Sequence, residues 1–197
     1  MDLFNKVFRI KYKRGCENIV INKFPGKYGL HLEYPVGAVR YSTNIDEVFK
    51  SASVIKLPIF LYGIDYAKDL DELVEVSPED IVDGSGVLQT LVTQERLFSV
   101  RDLHALMIVV SDNTATNLLI KRYGMKRLNS YLQHLGMTKS KLGREMRDHM
   151  AIAEERDNIV CVRDMVACLR AMVSSPAFND MLHILEKQQF QHKIPAG

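Results

Sequence analysis

The sequence predicts an α+β fold in which a mainly helical body, over about 53–190, is framed by a small antiparallel sheet near the N-terminus. Two patterns lead to this prediction. Apolar residues alternate with glycine, histidine and glutamate over 28–34 and continue over 39–41 after a Pro-Val-Gly turn, which is typical of a hairpin. Downstream, apolar residues recur at the spacing of one helix face, as over 99–110.

The elements follow in order. A first amphipathic helix is predicted over about 2–14, with Gly15 as its C-cap candidate. The helical body begins at Ser53, and Ser99 with Asp102 resembles a capping box ahead of a buried helix. Further helices are predicted at about 114–123, 126–135, 161–173 and 177–189, several of them bounded by glycine or proline.

We divide the chain into an N-terminal part, 1–52, with the first helix and the strands, the helical domain, 53–190, and a short return, 191–197. The polar stretch 137–158 is the longest irregular piece and is consistent with a functional loop. Two strands rarely hold alone in water, and an exposed edge invites pairing with a second molecule. A dimer or aggregation through this edge would therefore be unsurprising.

Composition indicates an ordinary folded chain. The 197 residues are 47% hydrophobic, and 26 basic against 24 acidic residues give a net charge of +2. The sequence contains no basic stripe with interleaved aromatic residues, which would predict nucleic-acid binding. It also contains no run of 18 apolar residues, which would predict a membrane span. The six histidines are scattered without the spacing of metal ligands, so we expect no metal, and no cofactor is expected either.

Two short motifs carry the chemistry. Ser53-Val-Ile-Lys56 opens an apolar run, which places a hydroxyl and an amine one turn apart at the start of a helix. Ser111-Asp-Asn113 follows another apolar stripe and is predicted to form a short connection between buried helices. Either motif alone is weak, because an N-cap serine and a solvated lysine are common, but the two together indicate a serine acyl-transfer site.

The chemistry requires these residue types. A serine hydroxyl is a poor nucleophile at neutral pH, so Ser53 needs a neighbour that accepts its proton, and Lys56 can do so if burial makes its neutral form accessible. Ser111 would relay a proton to the leaving group. The Asn113 amide has two open roles, donation to a substrate carbonyl or positioning of Lys56.

The motif set resembles that of class A β-lactamases and their penicillin-recognising relatives. Five stretches occur in the order that this family shows: Tyr28-Gly-Leu-His-Leu-Glu33, Ser51-Ala-Ser-Val-Ile-Lys-Leu-Pro58, Asp83-Gly-Ser-Gly-Val-Leu88, Met107-Ile-Val-Val-Ser-Asp-Asn-Thr-Ala-Thr-Asn117 and Arg163-Asp-Met165. The resemblance implies a β-lactamase-like fold, with Ser53 acylated by the β-lactam and Lys56 as its activating partner. Ser111 and Asn113 match the family's S-D-N serine and asparagine.

The resemblance also suggests a deacylating residue. The family's glutamate lies four residues before an asparagine, and the two orient the hydrolytic water. Glu154 stands four before Asn158 and fits this spacing, although Glu155-Arg-Asp157 replaces the family's Pro-Glu-Leu context. The alternatives are that Glu154 is a solvated surface carboxylate and that Asn158 caps the next helix.

One family motif is missing. No Lys-Thr-Gly triad occurs, and the sequence ends at Lys193-Ile-Pro-Ala-Gly197, upstream of where it would fall. The resemblance places the substrate-carboxylate site and one oxyanion amide on that strand. We therefore interpret the sequence as a truncated form or part of a longer product, with only part of the pocket.

Three functions remain open for the chain. The first is a serine β-lactam hydrolase acting through an acyl-enzyme on Ser53, with water activated by Glu154. The second is a penicillin-binding peptidase or esterase relative that deacylates slowly, and the third is a non-catalytic module that binds a β-lactam or cell-wall peptide. No secretory signal is visible, so the protein is cytoplasmic as written, or secreted or periplasmic if a leader was removed.

Overall fold

The computed structural model describes residues 27–33, 38–67 and 69–190. The predicted first helix over 2–14 and the return segment 191–197 lie outside these residues. The strands are β1 (Leu30–Glu33), β2 (Val39–Thr43), β3 (Val48–Lys50), β4 (Leu73–Val76), β5 (Arg96–Ser99) and β6 (Ile159–Cys161). The α-helices are α1 (Lys56–Tyr66), α2 (Leu88–Leu91), α3 (Val100–Val109), α4 (Asn113–Tyr123), α5 (Met125–His134), α6 (His149–Ala153), α7 (Val162–Ser174) and α8 (Phe178–Leu185).

The six strands of the described residues form three two-stranded antiparallel ribbons. The predicted hairpin is confirmed as the β1–β2 pair, in which Leu32 faces Tyr41. The ribbons β3–β6 and β4–β5 are findings that the sequence pattern did not indicate. The three-residue strand β6 ends at Cys161, so the helix predicted from 161 begins one residue later.

The helices predicted between 99 and 173 are confirmed to within one residue, and the helix predicted at 177–189 ends earlier, at Leu185. The caps explain several of these boundaries. The Ser99 hydroxyl accepts from the Asp102 amide at 3.0 Å, and the Asp102 carboxylate accepts from the Ser99 amide at 2.9 Å, which makes the predicted capping box. Gly124 and Gly136 end the next two helices with φ of +82° and +79°, a conformation that favours glycine.

Helix α1 lies at the centre of the helical body. It is apolar on most of its surface, and it contacts helices α3, α4, α5 and α7. Ile59, Phe60 and Leu61 are all buried, so neighbouring helices cover α1 on several sides. This burial holds the start of α1 at Lys56, and the turn before it that carries Ser53, against the core of the molecule.

Candidate active site

The start of helix α1 positions Ser53 and Lys56. A 3₁₀ turn, Ala52–Ile55, leads directly into the helix, so that Ser53 is exposed to solvent while Lys56 is buried. Ala52 has a φ of +44°, which is uncommon for a residue other than glycine and is often found where function fixes the backbone. The predicted location of Ser53 at a helix start is confirmed, with a 3₁₀ first turn.

Lys56 is a buried lysine with all three of its donors used. Its side chain is 2% exposed, and Nζ donates to the Ser111 carbonyl at 2.6 Å, to Ser111 Oγ at 2.9 Å and to Asn113 Oδ1 at 3.0 Å. The alternative that Lys56 is a solvated charge is therefore wrong. Burial lowers the pKa of Lys56 from 10.5 to about 8, against an opposing effect of the Asp112 charge, so that the neutral amine is accessible near neutral pH.

Ser111 joins Lys56 to Ser53. The Ser111 hydroxyl donates to Ser53 Oγ at 2.9 Å while it accepts from Lys56 Nζ. Among the described residues no hydrogen bond joins Lys56 Nζ directly to Ser53 Oγ, so the connection between amine and exposed hydroxyl passes through Ser111. Ser111 has a φ of +54°, a second strained backbone position in the same cluster.

The Asp83–Leu88 loop holds Ser111 and Asn113 in place through the residue between them. Asp112 is 1% exposed, and its Oδ2 accepts from the amides of Val87 and Leu88 at 2.7 and 2.9 Å. Its Oδ1 caps helix α4 by accepting from the Ala115 amide at 2.9 Å. Gly86 lies so close that a Cβ there would be 2.3 Å from Asp112 Cγ, which explains a glycine at this point of the loop.

Asn113 positions Lys56 and is itself held by the Asp83–Leu88 loop. Its Oδ1 accepts from Lys56, its Nδ2 donates to the Asp83 carbonyl at 3.1 Å, and its backbone amide donates to the Ser85 carbonyl at 2.9 Å. Of the two roles open from the sequence, these contacts supply the positioning of Lys56. A contact of Asn113 with substrate stays a prediction.

Asn158 lies in a supporting position. It is 2% exposed, and its Oδ1 accepts from the amides of Gly143 and Arg144 at 2.8 and 3.0 Å. Its backbone carbonyl accepts from the Ser51 amide at 2.8 Å, two residues before Ser53. Asn158 therefore ties the 143–158 loop to the start of the site, and it does not cap helix α7, whose N-cap is Cys161.

Among the described residues, no hydrogen bond or ion pair links Glu154 to Ser53, Lys56 or Ser111. Its carboxylate pairs with Arg156 at 2.5 Å, and its side chain is 58% exposed. The structure therefore places Glu154 as the surface carboxylate that the sequence left as an alternative. Its role in deacylation stays a prediction without a supporting contact.

Sequence reasoning missed the residues that shape the 143–158 loop. Arg144 and Asp157 close its two ends with an ion pair at 2.8 Å. The Asn117 side chain binds both backbone groups of the buried Met146. Its Oδ1 accepts from the Met146 amide at 2.7 Å, and its Nδ2 donates to the Met146 carbonyl at 3.0 Å. The available signal was weak: Asn117 ends one of the family-like stretches, but nothing in the sequence names its partner.

Across the described ranges, no group of three or more His, Cys, Asp or Glu side chains is arranged to hold a metal ion. No helix in this part of the chain is both long and apolar enough to cross a membrane.

Comparison with solved structures finds close relatives of this fold. A beta-lactamase from Sphaerobacter thermophilus is 31% identical with a TM-score of 0.76, over 85% of this chain and 66% of that one. A variant of PBP-A, described as an acyl-enzyme complex with penicillin G, is 28% identical with a TM-score of 0.74, over 86% of this chain and 66% of that one. An ancestral class A beta-lactamase is 28% identical with a TM-score of 0.67, over 78% of this chain and 62% of that one.

The chain thus spans about two thirds of the length of the structures that it matches. Comparison with curated proteins finds no match. The family model of the beta-lactamase enzyme family matches residues 12–197, nearly the whole sequence. With the α+β fold and the class A neighbours, this match shows that the chain belongs to the beta-lactamase enzyme family.

Proposed function

We propose that this protein is a serine acyl-transfer enzyme of the β-lactamase type, in which a β-lactam acylates Ser53. One observation carries the proposal: an exposed hydroxyl at the start of a buried helix is linked through Ser111 to a buried lysine of lowered pKa. A relative described as an acyl-enzyme complex with penicillin G supports the same chemistry.

The hydrogen-bond chain defines the proton path of the acylation step. When Lys56 is neutral, its Nζ lone pair accepts from the Ser111 hydroxyl, and Ser111 in turn accepts from the Ser53 hydroxyl, the reverse of the directions with charged Lys56. As Ser53 Oγ bonds to the carbonyl carbon of the β-lactam, its proton passes to Ser111, and the Ser111 proton passes to Lys56. The ring C–N bond then breaks, Lys56 returns a proton to Ser111, and the Ser111 hydroxyl proton passes to the leaving nitrogen. The positive end of helix α1 favours the negative charge on the carbonyl oxygen in between.

Labelling with a fluorescent penicillin tests this proposal. The wild-type chain is expected to carry a covalent label on a denaturing gel, and Ser53→Ala is expected to carry none. Ser130→Ala is the matched control, because Ser130 is exposed on α5, outside the hydrogen-bonded cluster, and its label should equal that of wild type. An unlabelled wild-type chain, or a labelled Ser53→Ala variant, would refute the assignment.

The position of Glu154 favours a second function, in which the acyl-enzyme is long-lived. A water that hydrolyses the ester needs a base within hydrogen-bond reach, and the Glu154 carboxylate instead pairs with Arg156 on the surface. Slow release would make the protein a penicillin-binding peptidase or esterase relative, or a β-lactam-binding module.

A chase experiment separates rapid hydrolysis from slow release. After labelling, excess unlabelled penicillin is added and the loss of label is followed in wild type, Glu154→Gln and Glu155→Gln. Glu155 is the matched control because it is an exposed neighbouring carboxylate. Equal, slow loss in all three chains supports the long-lived adduct. Fast loss in wild type that only Glu154→Gln slows would restore Glu154 as the deacylating base.

A further inference from the structure

One bidentate ion pair joins two loops beside Asn113. Arg147, in the 143–158 loop, donates from Nε to Asp83 Oδ1 at 2.6 Å and from Nη2 to Asp83 Oδ2 at 2.8 Å. Asp83 begins the loop that binds Asp112. The hydrogen bonds from Arg147 lower the pKa of Asp83 below its ordinary value.

Both ends of this ion pair are anchored on helix α4. The Asp83 carbonyl accepts from Asn113 Nδ2 at 3.1 Å. On the other side, Met146 precedes Arg147 and is held through both of its backbone groups by Asn117, one turn along from Asn113. The contacts close a ring from Asn113 through Asp83, Arg147 and Met146 to Asn117 and back along the helix.

The backbone at Arg147 is strained. Arg147 has a φ of +63°, a left-handed conformation that few residues other than glycine, asparagine and aspartate adopt without cost. Gly84 lies inside the ring, since a Cβ there would be 2.9 Å from Asn113 Nδ2 and 3.6 Å from Arg147 Cδ. The two loops therefore approach closely only because one position carries glycine and the other tolerates strain.

We propose that Arg147 and Asp83 form a positioning pair that sets the orientation of the Asn113 amide and, through its Oδ1, of Lys56. The inference rests on the proposed function, because it concerns the residue that holds the proton acceptor for Ser53. Neither member of the pair has a hydrogen bond with Ser53, Ser111 or Lys56 within the part of the chain that the structure describes. The contact that links the pair to the site is the hydrogen bond from Asn113 Nδ2 to the Asp83 carbonyl.

The exposure of the pair limits the size of the effect and makes it sensitive to salt. The side chains of Arg147 and Asp83 are 42% and 67% exposed. Exposed pairs are weakly coupled and are screened by dissolved ions. Loss of the pair should slow the formation of the Ser53 adduct by roughly two- to fivefold.

The test is a double-mutant cycle on the initial rate of labelling by a fluorescent penicillin. Asp83→Asn, Arg147→Gln and the double variant are compared with wild type at about 0.05 M and 0.5 M salt. Each single variant should be slower at low salt, and the double variant no slower than the slower single variant. High salt should slow wild type towards the variants and leave the variants unchanged. Asp46→Asn is the matched control, since it breaks another exposed bidentate pair, with Arg163.

The outcomes distinguish this inference from the proposed function. A wild-type chain that takes no label defeats the proposed function itself. A labelled wild type whose variants react equally fast, or whose two single effects simply multiply in the double variant, overturns the positioning role alone. Thermal melting of each variant adds a separate readout, because a rate loss that follows a fall in melting temperature would assign the pair to structure and overturn the proposal.

Discussion

The lowered pKa of Lys56 gives a quantitative prediction for the pH dependence of acylation. Burial at 2% exposure lowers this pKa from 10.5 to about 8. At pH 7 the neutral amine would then make up about 9% of the molecules, against about 0.03% for an unperturbed lysine. The structure thus raises the population of the proton acceptor by roughly 300-fold.

The assay is the initial rate of Ser53 labelling by a fluorescent penicillin between pH 6 and pH 9, with short reaction times. Below the pKa the neutral fraction rises about tenfold per pH unit, so the rate should rise about tenfold from pH 6 to pH 7 and level off above pH 8. Lys56→Arg should remove this rise and lower the rate by about 100-fold or more, because a guanidinium keeps its proton.

The matched control is Lys121→Arg, at an exposed lysine that pairs with Asp80. This variant should keep both the wild-type rate and the wild-type pH profile. A wild-type rate that is flat between pH 6 and pH 9 would refute the reasoning. So would a Lys56→Arg variant that is labelled as fast as wild type.

Three further predictions concern the relay, the loop and the core. Ser111→Ala should lower the labelling rate by about 100-fold with little change in melting temperature, because it removes the hydroxyl that links Lys56 to Ser53, and an unchanged rate would exclude the relay. Gly86 and Gly136 both have positive φ, so alanine strains the backbone at either position. Gly86→Ala should lose about 1–3 kcal/mol more unfolding free energy than Gly136→Ala in denaturant titration, because its Cβ would also meet Asp112 whereas Gly136 has open space; equal losses would contradict this. Burial lowers the pKa of His104 to about 4, so the unfolded chain takes up a proton near pH 6.5 before the folded chain does, and stability should fall by up to about 3 kcal/mol as pH drops from 6.5 to 4. Denaturant titration at several pH values should show a flatter fall in His104→Gln, and an equally steep fall in this variant would contradict the assignment to His104.

The sequence predicted the parts of the site that depend on local spacing. Ser53 and Lys56 are one turn apart, and an apolar run around them is enough to indicate a helix start inside the core. Ser111 and Asn113 follow a buried helix, and the capping box at Ser99 fixed where that helix begins. Each of these inferences needs only the residues within a turn or two of the motif.

The long-range contacts could not be predicted in the same way. The path from Ser53 to Lys56 passes through Ser111, 58 residues from Ser53, and no pattern within either motif states this. The ribbon β3–β6 is three residues long, too short for alternation to be visible. These features depend on how the chain packs.

Glu154 shows where spacing can mislead. A separation of four residues from Asn158 matches the family's pattern, but spacing along a loop does not fix the direction of a side chain. The adjacent Arg156 offers a partner on the solvent side, and the Glu154 carboxylate pairs with it. The buried Asn158 and the exposed Glu154 therefore belong to different surroundings despite their matching spacing.

The most direct test of the central claim is the mass of the intact protein after incubation with penicillin G, followed by peptide mapping of the adduct. We predict one added penicillin per chain, attached to the peptide that contains Ser53, and no addition to the Ser53→Ala variant. An unmodified wild-type chain, or an adduct mapped to another residue, would contradict the assignment of Ser53 as the nucleophile.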